Sequence, residues 1–162
     1  MKKPKYLTML ITFLLIITVF SIHLFYFIYN ECCNKRLINA IFRNDINAVN
    51  NELSSGADPN TRCNLSYNNY QCINFLFACY KINLSKSQEK PTALILAAQE
   101  GNPDIVKLLI DHGADINAKT SCCGQTALQC AEMMSDILPH KGHPEDVIVI
   151  IRNKIQHNNG AF

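Results

Sequence analysis

Residues 99–117, QEGNPDIVKLLIDHGADIN, carry both ends of one short helix in their own chemistry. Gly101 can close a preceding helix, because glycine enters the left-handed backbone without a Cβ clash. Asn102 is a good N-cap, and Pro103 suits the first helical position, where its missing N–H costs nothing. Asp104 places negative charge in the first turn, where the helix dipole favours it. Ile105, Val106, Leu108, Leu109 and Ile110 then form an apolar stripe, leaving Lys107 and Asp111 for water. Gly113 supplies the stop, with His112 in the last turn. Two to three turns are too short to be stable alone, so this helix must pack against neighbours.

Those neighbours are found as copies. Gly56-Ala57-Asp58-Pro59-Asn60 and Gly113-Ala114-Asp115-Ile116-Asn117 are two versions of one turn, and each follows an apolar stretch, Val49 to Leu53 and Val106 to Ile110. Thr92-Ala93-Leu94 and Thr126-Ala127-Leu128 form a second matched pair, about 34 residues apart. Upstream, Leu37 to Asp45 reads as a partner helix and its closing turn. Three helix–turn–helix units emerge.

This pattern resembles the ankyrin-repeat family, in which an opening Gly-x-Thr-Pro-Leu-His-x-Ala-Ala leads to a second helix and a Gly-Ala-Asp loop. Thr92 to Ala98 and the whole of 99–117 follow it closely. The first unit, from about Leu37 to Asn60, matches through its second helix and loop but lacks the Thr-Pro-Leu-His opening. The third, Gly124 to about Lys154, begins with Gly124-Gln125-Thr126-Ala127-Leu128 and then departs. Ser135 to Lys141 reads as an extra segment between its helices, and no Gly-Ala-Asp loop follows. Ile95 and Gln129 stand where the family has His, so the hydrogen bonds of that His are not expected in their usual form.

The resemblance implies an all-α fold, a short ankyrin-repeat solenoid of about three units. The physical logic agrees. Ala97, Ala98, Ala127 and Ala131 keep the first helices slim enough to stack, and about three units is the lower limit for a stable array. Asn47, Asn50, Asn51 and Glu52 give the first unit a polar outer face. Val147 to Ile151 at the other end is apolar all round, and either the end Arg152 to Phe162 folds over it or a partner does.

The two Gly-Ala-Asp turns lie about 57 residues apart, so about 24 residues are inserted at one repeat junction. The insert, roughly Thr61 to Gln88, carries Tyr67, Tyr70, Phe75, Phe77 and Tyr80 among Asn and Ser. Ankyrin junctions form fingers, and loops beyond about 12–15 residues are commonly functional or disordered. Aromatics beside small polar residues have the composition of binding loops; the alternative is that Phe75, Phe77 and Tyr80 pack the insert onto the array.

Leu7 to Tyr29 holds no formal charge and is long enough to cross a ~30 Å hydrocarbon core. Thr8, Thr12, Thr18, Ser21 and His23 are its polar residues, and Tyr6, Tyr26 and Tyr29 lie near the edges where amphipathic rings settle. A cleaved signal, leaving a secreted or periplasmic chain, is the rival. Asn30-Glu31-Cys32 offers no small-x-small cleavage site, which favours a single-pass anchor. Lys2, Lys3, Lys5 and the free amine precede the span and Lys35, Arg36 and, further off, Arg43 follow it, a near balance that the compact cluster at the N-terminus tips towards the N-terminus inside and the repeats on the far side. The expected organisation is a basic segment 1–6, a transmembrane helix 7–29, a linker 30–36, repeats at 37–60, 91–119 and 120–155 (the last degenerate), the inserted finger at 61–90 and a tail at 156–162.

Of 15 basic and 13 acidic residues, three lysines lie before the span, and the balance of about minus one that remains leaves no basic stripe for nucleic acid. The 8 cysteines are Cys32, Cys33, Cys63, Cys72, Cys79, Cys122, Cys123 and Cys130. Cys130 holds a first-helix position that faces the core. The others of the fingers permit disulfides in an exported domain and stay as thiols in a cytosolic one. Metal binding is not expected, since no Cys-x-x-Cys occurs and His140 and His143 have no nearby Cys. Two sequons, Asn64-Leu65-Ser66 and Asn83-Leu84-Ser85, fall in the insert. No Gly-x-Ser-x-Gly, His-Glu-x-x-His or phosphate loop is present, so no catalysis and no cofactor are expected.

The function these features imply is a membrane-tethered protein-binding module with an unknown protein partner. Carried over from the family by position, the partner-facing candidates are the first-helix ends Phe42 and Arg43, Gln99 and Glu100, Met133 and Met134. To these are added Cys122, Cys123 and Gln125 in the second finger, and Tyr67 and Tyr70 in the insert. Core packing is the competing role for the two Met residues. A thiol-redox or metal-responsive protein using the clustered cysteines is the alternative, and repeat remnants without a partner are a third.

Overall fold

The computed structural model describes residues 5–63, 91–120, 124–137 and 142–159. Among them are six helices: α1 (Lys5–Phe42), α2 (Ile46–Ser54), α3 (Ala93–Glu100), α4 (Pro103–Asp111), α5 (Ala127–Ile137) and α6 (Pro144–Asn159). Tyr67, Tyr70, Cys122, Cys123, both sequons and His140 lie outside the described residues.

The helices form two layers. The last turns of α1 pack on α3, and α3 on α5, as one layer of first helices; α2 packs on α4, and α4 on α6, as the layer of second helices. Leu37, Ile41, Val49, Leu94, Ile95, Ile105, Val106, Leu109, Val147 and Ile151 fill the space between the layers. Ala93, Ala97 and Ala98 are fully buried, as are Ala127 and Ala131 to within 1%. Methyl-sized side chains let the first helices approach closely, which is the reason for the alanines.

The first two units are equivalent bond for bond. Asp45 N–H donates to Ala40 C=O and Asn102 N–H to Ala97 C=O where the first helix of each unit ends. Ala57 N–H donates to Glu52 C=O and Ala114 N–H to Leu109 C=O where the second ends. Asn102 caps α4 as its residue type demands, its side chain accepting from the N–H groups of Asp104 and Ile105. Asp45 does the same for α2 by accepting from Ala48. Gly101 closes α3 at φ 70°, and Asn44 takes the corresponding position of the first unit at φ 57°, a conformation asparagine tolerates better than most residues.

The structure differs from the sequence reading in three places. The segment 30–36, read as a linker, continues α1, which runs 38 residues without a break. Asn30 to Arg36 contains no glycine or proline to end a helix, and the Lys35–Glu31 pair at 3.9 Å spans one of its turns. In the third unit the expected extra segment begins as helix, because α5 extends through Ser135 to Ile137. Finally, Arg152 to Asn159 does not fold back over Val147 to Ile151; it prolongs α6, since no Gly-Ala-Asp turn stops it. Nor is that stretch apolar on an open face: Val147, Ile148 and Ile151 are buried, Ile150 is half-buried, and Val149 points outward.

The first half of α1 stands apart from this core. It is long and apolar enough to cross a membrane, and none of its most apolar window is buried. Phe13, Phe20, Phe25 and Phe27 are all exposed, Phe27 by 69%. The hydroxyls of Thr12, Thr18 and Ser21 donate to the carbonyls of Met9, Leu15 and Ile17 on the same helix, so they need no water.

Candidate interaction surface

The stack has two polar ends, each joined across the repeats by side-chain hydrogen bonds. At one end lie the turns between first and second helices. There Asn102 Nδ2 donates to Asn44 Oδ1 at 2.6 Å, linking units one and two. The third unit docks beside them, with His143 N–H donating to Gly101 C=O at 2.8 Å. Gly142 makes this approach possible: a Cβ at its position would lie 2.5 Å from the Gly101 carbonyl oxygen.

The opposite end holds the two Gly-Ala-Asp turns and the bases of the fingers. Asn34 of α1 accepts from Asp58 N–H through its side chain. Asn60 then reaches the next unit, its Oδ1 accepting from Asp115 N–H at 2.7 Å and its Nδ2 donating to Gly113 C=O. Asp58 and Asp115 each accept from the N–H two residues on, which gives both turns the same shape. At the first finger base Arg62 and Thr92 pair as an antiparallel bridge, with Cys63 N–H donating to Pro91 C=O and Ala93 N–H to Thr61 C=O. The second finger is pinched by Thr120 N–H on Gln125 C=O and Gln125 N–H on Thr120 Oγ1. Arg62 Nη1 donates to Lys119 C=O and ties one finger base to the other.

Six of the sequence-derived candidates form a row along the first of these ends, since α1, α3 and α5 stack side by side. Their availability is unequal. Arg43 is exposed, Phe42, Glu100 and Met133 are half-buried, and Gln99 and Met134 are buried at 7% and 5% exposure. For Met134 the competing role, core packing, is where the structure puts it; Gln99 likewise turns inward because α3 is enclosed on nearly every side. Gln125 sits half-buried at the finger base, where its Oε1 accepts from the Cys130 thiol at 3.8 Å. It is therefore separated from the row by the length of a first helix, about 12 Å for eight residues.

Sequence reasoning did not assign roles to Asn44, Asn60 or Arg62. Asn60 had a signal, as the last residue of the repeated Gly-Ala-Asp-x-Asn turn, whereas the partner of Arg62 is a backbone carbonyl that no sequence pattern marks. Another unforeseen group lies where α1 meets α2. Arg36 donates to Glu52 Oε2 at 3.1 Å and to the buried Cys33 sulfur at 3.2 Å; these contacts, the sulfur foremost, hold its guanidinium pKa above the ordinary value. Among the described residues no group of His, Cys, Asp and Glu is arranged to hold a metal.

Comparison with known proteins agrees with the repeated turns. The family described as ankyrin repeats (3 copies) covers residues 37–159. The chain belongs to the ankyrin-repeat family, whose members serve as protein–protein interaction modules. Alpha-latroinsectotoxin-Lt1a of Latrodectus tredecimguttatus is 30% identical over 95 residues, 53% of this chain and 7% of the toxin. Delta-latroinsectotoxin-Lt1a of the same spider is 46% identical over 55 residues, 33% of this chain and 4% of the toxin. The NF-kappa-B inhibitor cactus of Drosophila melanogaster is 38% identical over 56 residues, 34% of this chain and 11% of the inhibitor. The chain thus spans a small part of the length of each of these relatives.

Proposed function

We propose that this chain is a membrane-tethered, non-enzymatic interaction module: the first half of α1 anchors it in a bilayer as a single pass, and the repeat stack binds a protein partner. The observation that carries the tether is the unburied apolar surface of α1 from Met9 to Tyr29, running without interruption into a first repeat whose Leu37 and Ile41 are fully buried. Such a surface is stable in lipid, where helices satisfy their own backbone groups. The absence of a small-x-small site after the span favours an uncleaved anchor, and the lysines before it favour an inside N-terminus. Partner contact falls to Arg43 with the half-buried Phe42, Glu100 and Met133, and to the finger residues Tyr67, Tyr70, Cys122 and Cys123.

Alkaline carbonate extraction tests the tether, the full chain being expected in the membrane pellet; release into the supernatant would refute it. For the partner face, a photoreactive amino acid at Arg43, Glu100 or Met133 in intact membranes is expected to give one discrete protein adduct. The same probe at Lys107, exposed on a second helix, should give none. Equal cross-linking from Lys107 would remove the assignment of this face.

A further inference from the structure

We infer that the Gly-Ala-Asp turns and finger bases rest on the phospholipid headgroups of the membrane that α1 crosses, while the first-to-second helix turns point away from it. The inference rests on the tether proposed above. Its geometry follows from the continuity of α1, which makes the anchor and the first repeat one rod. Tyr29 closes the apolar stretch, and Asn34 lies five residues on, about 7.5 Å along the axis. Each headgroup layer is about 5–8 Å thick, so Asn34 emerges at its outer edge. Asp58 N–H is hydrogen-bonded to Asn34, which fixes the first Gly-Ala-Asp turn at that height. Asn60 holds the second turn beside it through Gly113 and Asp115, and Arg62 holds the second finger base through Lys119. At the other end of the stack, Arg43 stands about 21 Å beyond Tyr29 along the same rod. A tilt of about 20° shortens these heights by less than a tenth.

The chemistry of this end fits a headgroup layer. Asp58, Asn60, Arg62, Asp115, Asn117 and Lys119 are all exposed, and the two acids and two bases among them balance. Such a surface suits a zwitterionic lipid such as phosphatidylcholine and needs no anionic lipid. The consequence for binding is directional: a protein partner reaches Arg43 and Glu100 from the far end of the stack and the finger residues only from the side, because the bilayer lies beneath the finger bases.

The chain contains no tryptophan, so single-tryptophan variants of the full chain in phosphatidylcholine vesicles report position directly. Lys119→Trp and Asn117→Trp are expected to be quenched several-fold more than Arg43→Trp by lipid bearing a nitroxide on its headgroup. Equal quenching of all three, or stronger quenching of Arg43→Trp, overturns the orientation. Phe20→Trp, read with lipid brominated in its acyl chains, separates the two readings. If it is quenched while Lys119→Trp and Asn117→Trp do not exceed Arg43→Trp, the orientation alone fails. If Phe20→Trp is not quenched, the tether fails and takes this inference with it. Having two probes at the headgroup end guards against one variant that misfolds, which circular dichroism identifies.

Discussion

Gly142 and Gly56 both have positive φ, 70° and 95°, yet they are constrained for different reasons. At Gly56 a Cβ meets nothing within 4 Å, so Gly56→Ala should cost only the left-handed backbone term, about 1–2 kcal/mol. At Gly142 the Cβ would strike the backbone carbonyls of Gly101 and Glu100 at 2.5 and 2.8 Å. Backbone cannot swing aside like a flexible side chain, so Gly142→Ala should cost about 3 kcal/mol or more. Parallel thermal unfolding of the two variants, followed by circular dichroism, checks the order. Gln129 is a further single-residue case. It stands where the family has His, and its Oε1 accepts from Thr126 N–H while Thr126 Oγ1 accepts from Gln129 N–H. This reciprocal pair is a capping box. Gln129→Ala should therefore lose about 0.5–1 kcal/mol, and Gln129→Glu should retain most of it. Ile95 cannot close such a box, and Thr92 caps α3 alone by accepting from Ile95 N–H.

At the scale of elements, the repeats are joined at both ends by asparagines, and the joints are independent. Asn60 works at one end of α4 and Asn102 at the other, with nine helical residues between the ends, a separation of about 13 Å. Asn60→Ala removes two hydrogen bonds between units and should cost about 1 kcal/mol, moderated by their exposure to water. Asn102→Ala removes an N-cap and the bond to Asn44, and should cost about 1–2 kcal/mol. Because the sites share no partner, the double variant is expected to be additive within about 0.5 kcal/mol in a double-mutant cycle. A larger coupling energy would mean that the interface between the units shifts as one body. The long last helix is the other feature of this scale. Without a terminal glycine turn α6 runs 16 residues, and its ion pair from Arg152 to Glu132 of α5, being exposed, adds little to stability.

For the whole molecule, one rod serves two solvents. The repeat stack depends on neighbour-to-neighbour burial and has three units, so losing one core side chain should disable all of it. Leu109 is fully buried in the central unit, and Leu109→Ala should cost about 2–5 kcal/mol, a large fraction of the stability expected of so small an array. The anchor should not follow, because in lipid the backbone has no alternative partner to its own helix. Circular dichroism of this variant in lipid nanodiscs should show loss of the array helices with a residual helical signal from the first half of α1. Complete loss of helix would show that the anchor depends on the stack.

How much of this was legible in the sequence follows from the range of the forces involved. Caps, stops and the apolar stripe of α4 were readable because each depends on residues within one or two turns: Asn102, Pro103, Gly101 and Gly113 act on their own backbone. The copies at Gly56 and Gly113, and at Thr92 and Thr126, identified the family because repetition itself is a sequence property. What the fold alone decided involves residues far apart in the chain. The burial of Gln99 and Met134, the crowding at Gly142 against Gly101, and the bond from Arg62 to Lys119 arise only when the units stack. The same holds for α1. No local signal ends it between the span and the first repeat, but only packing of Leu37 and Ile41 into the core turns that uninterrupted helix into the first element of the solenoid.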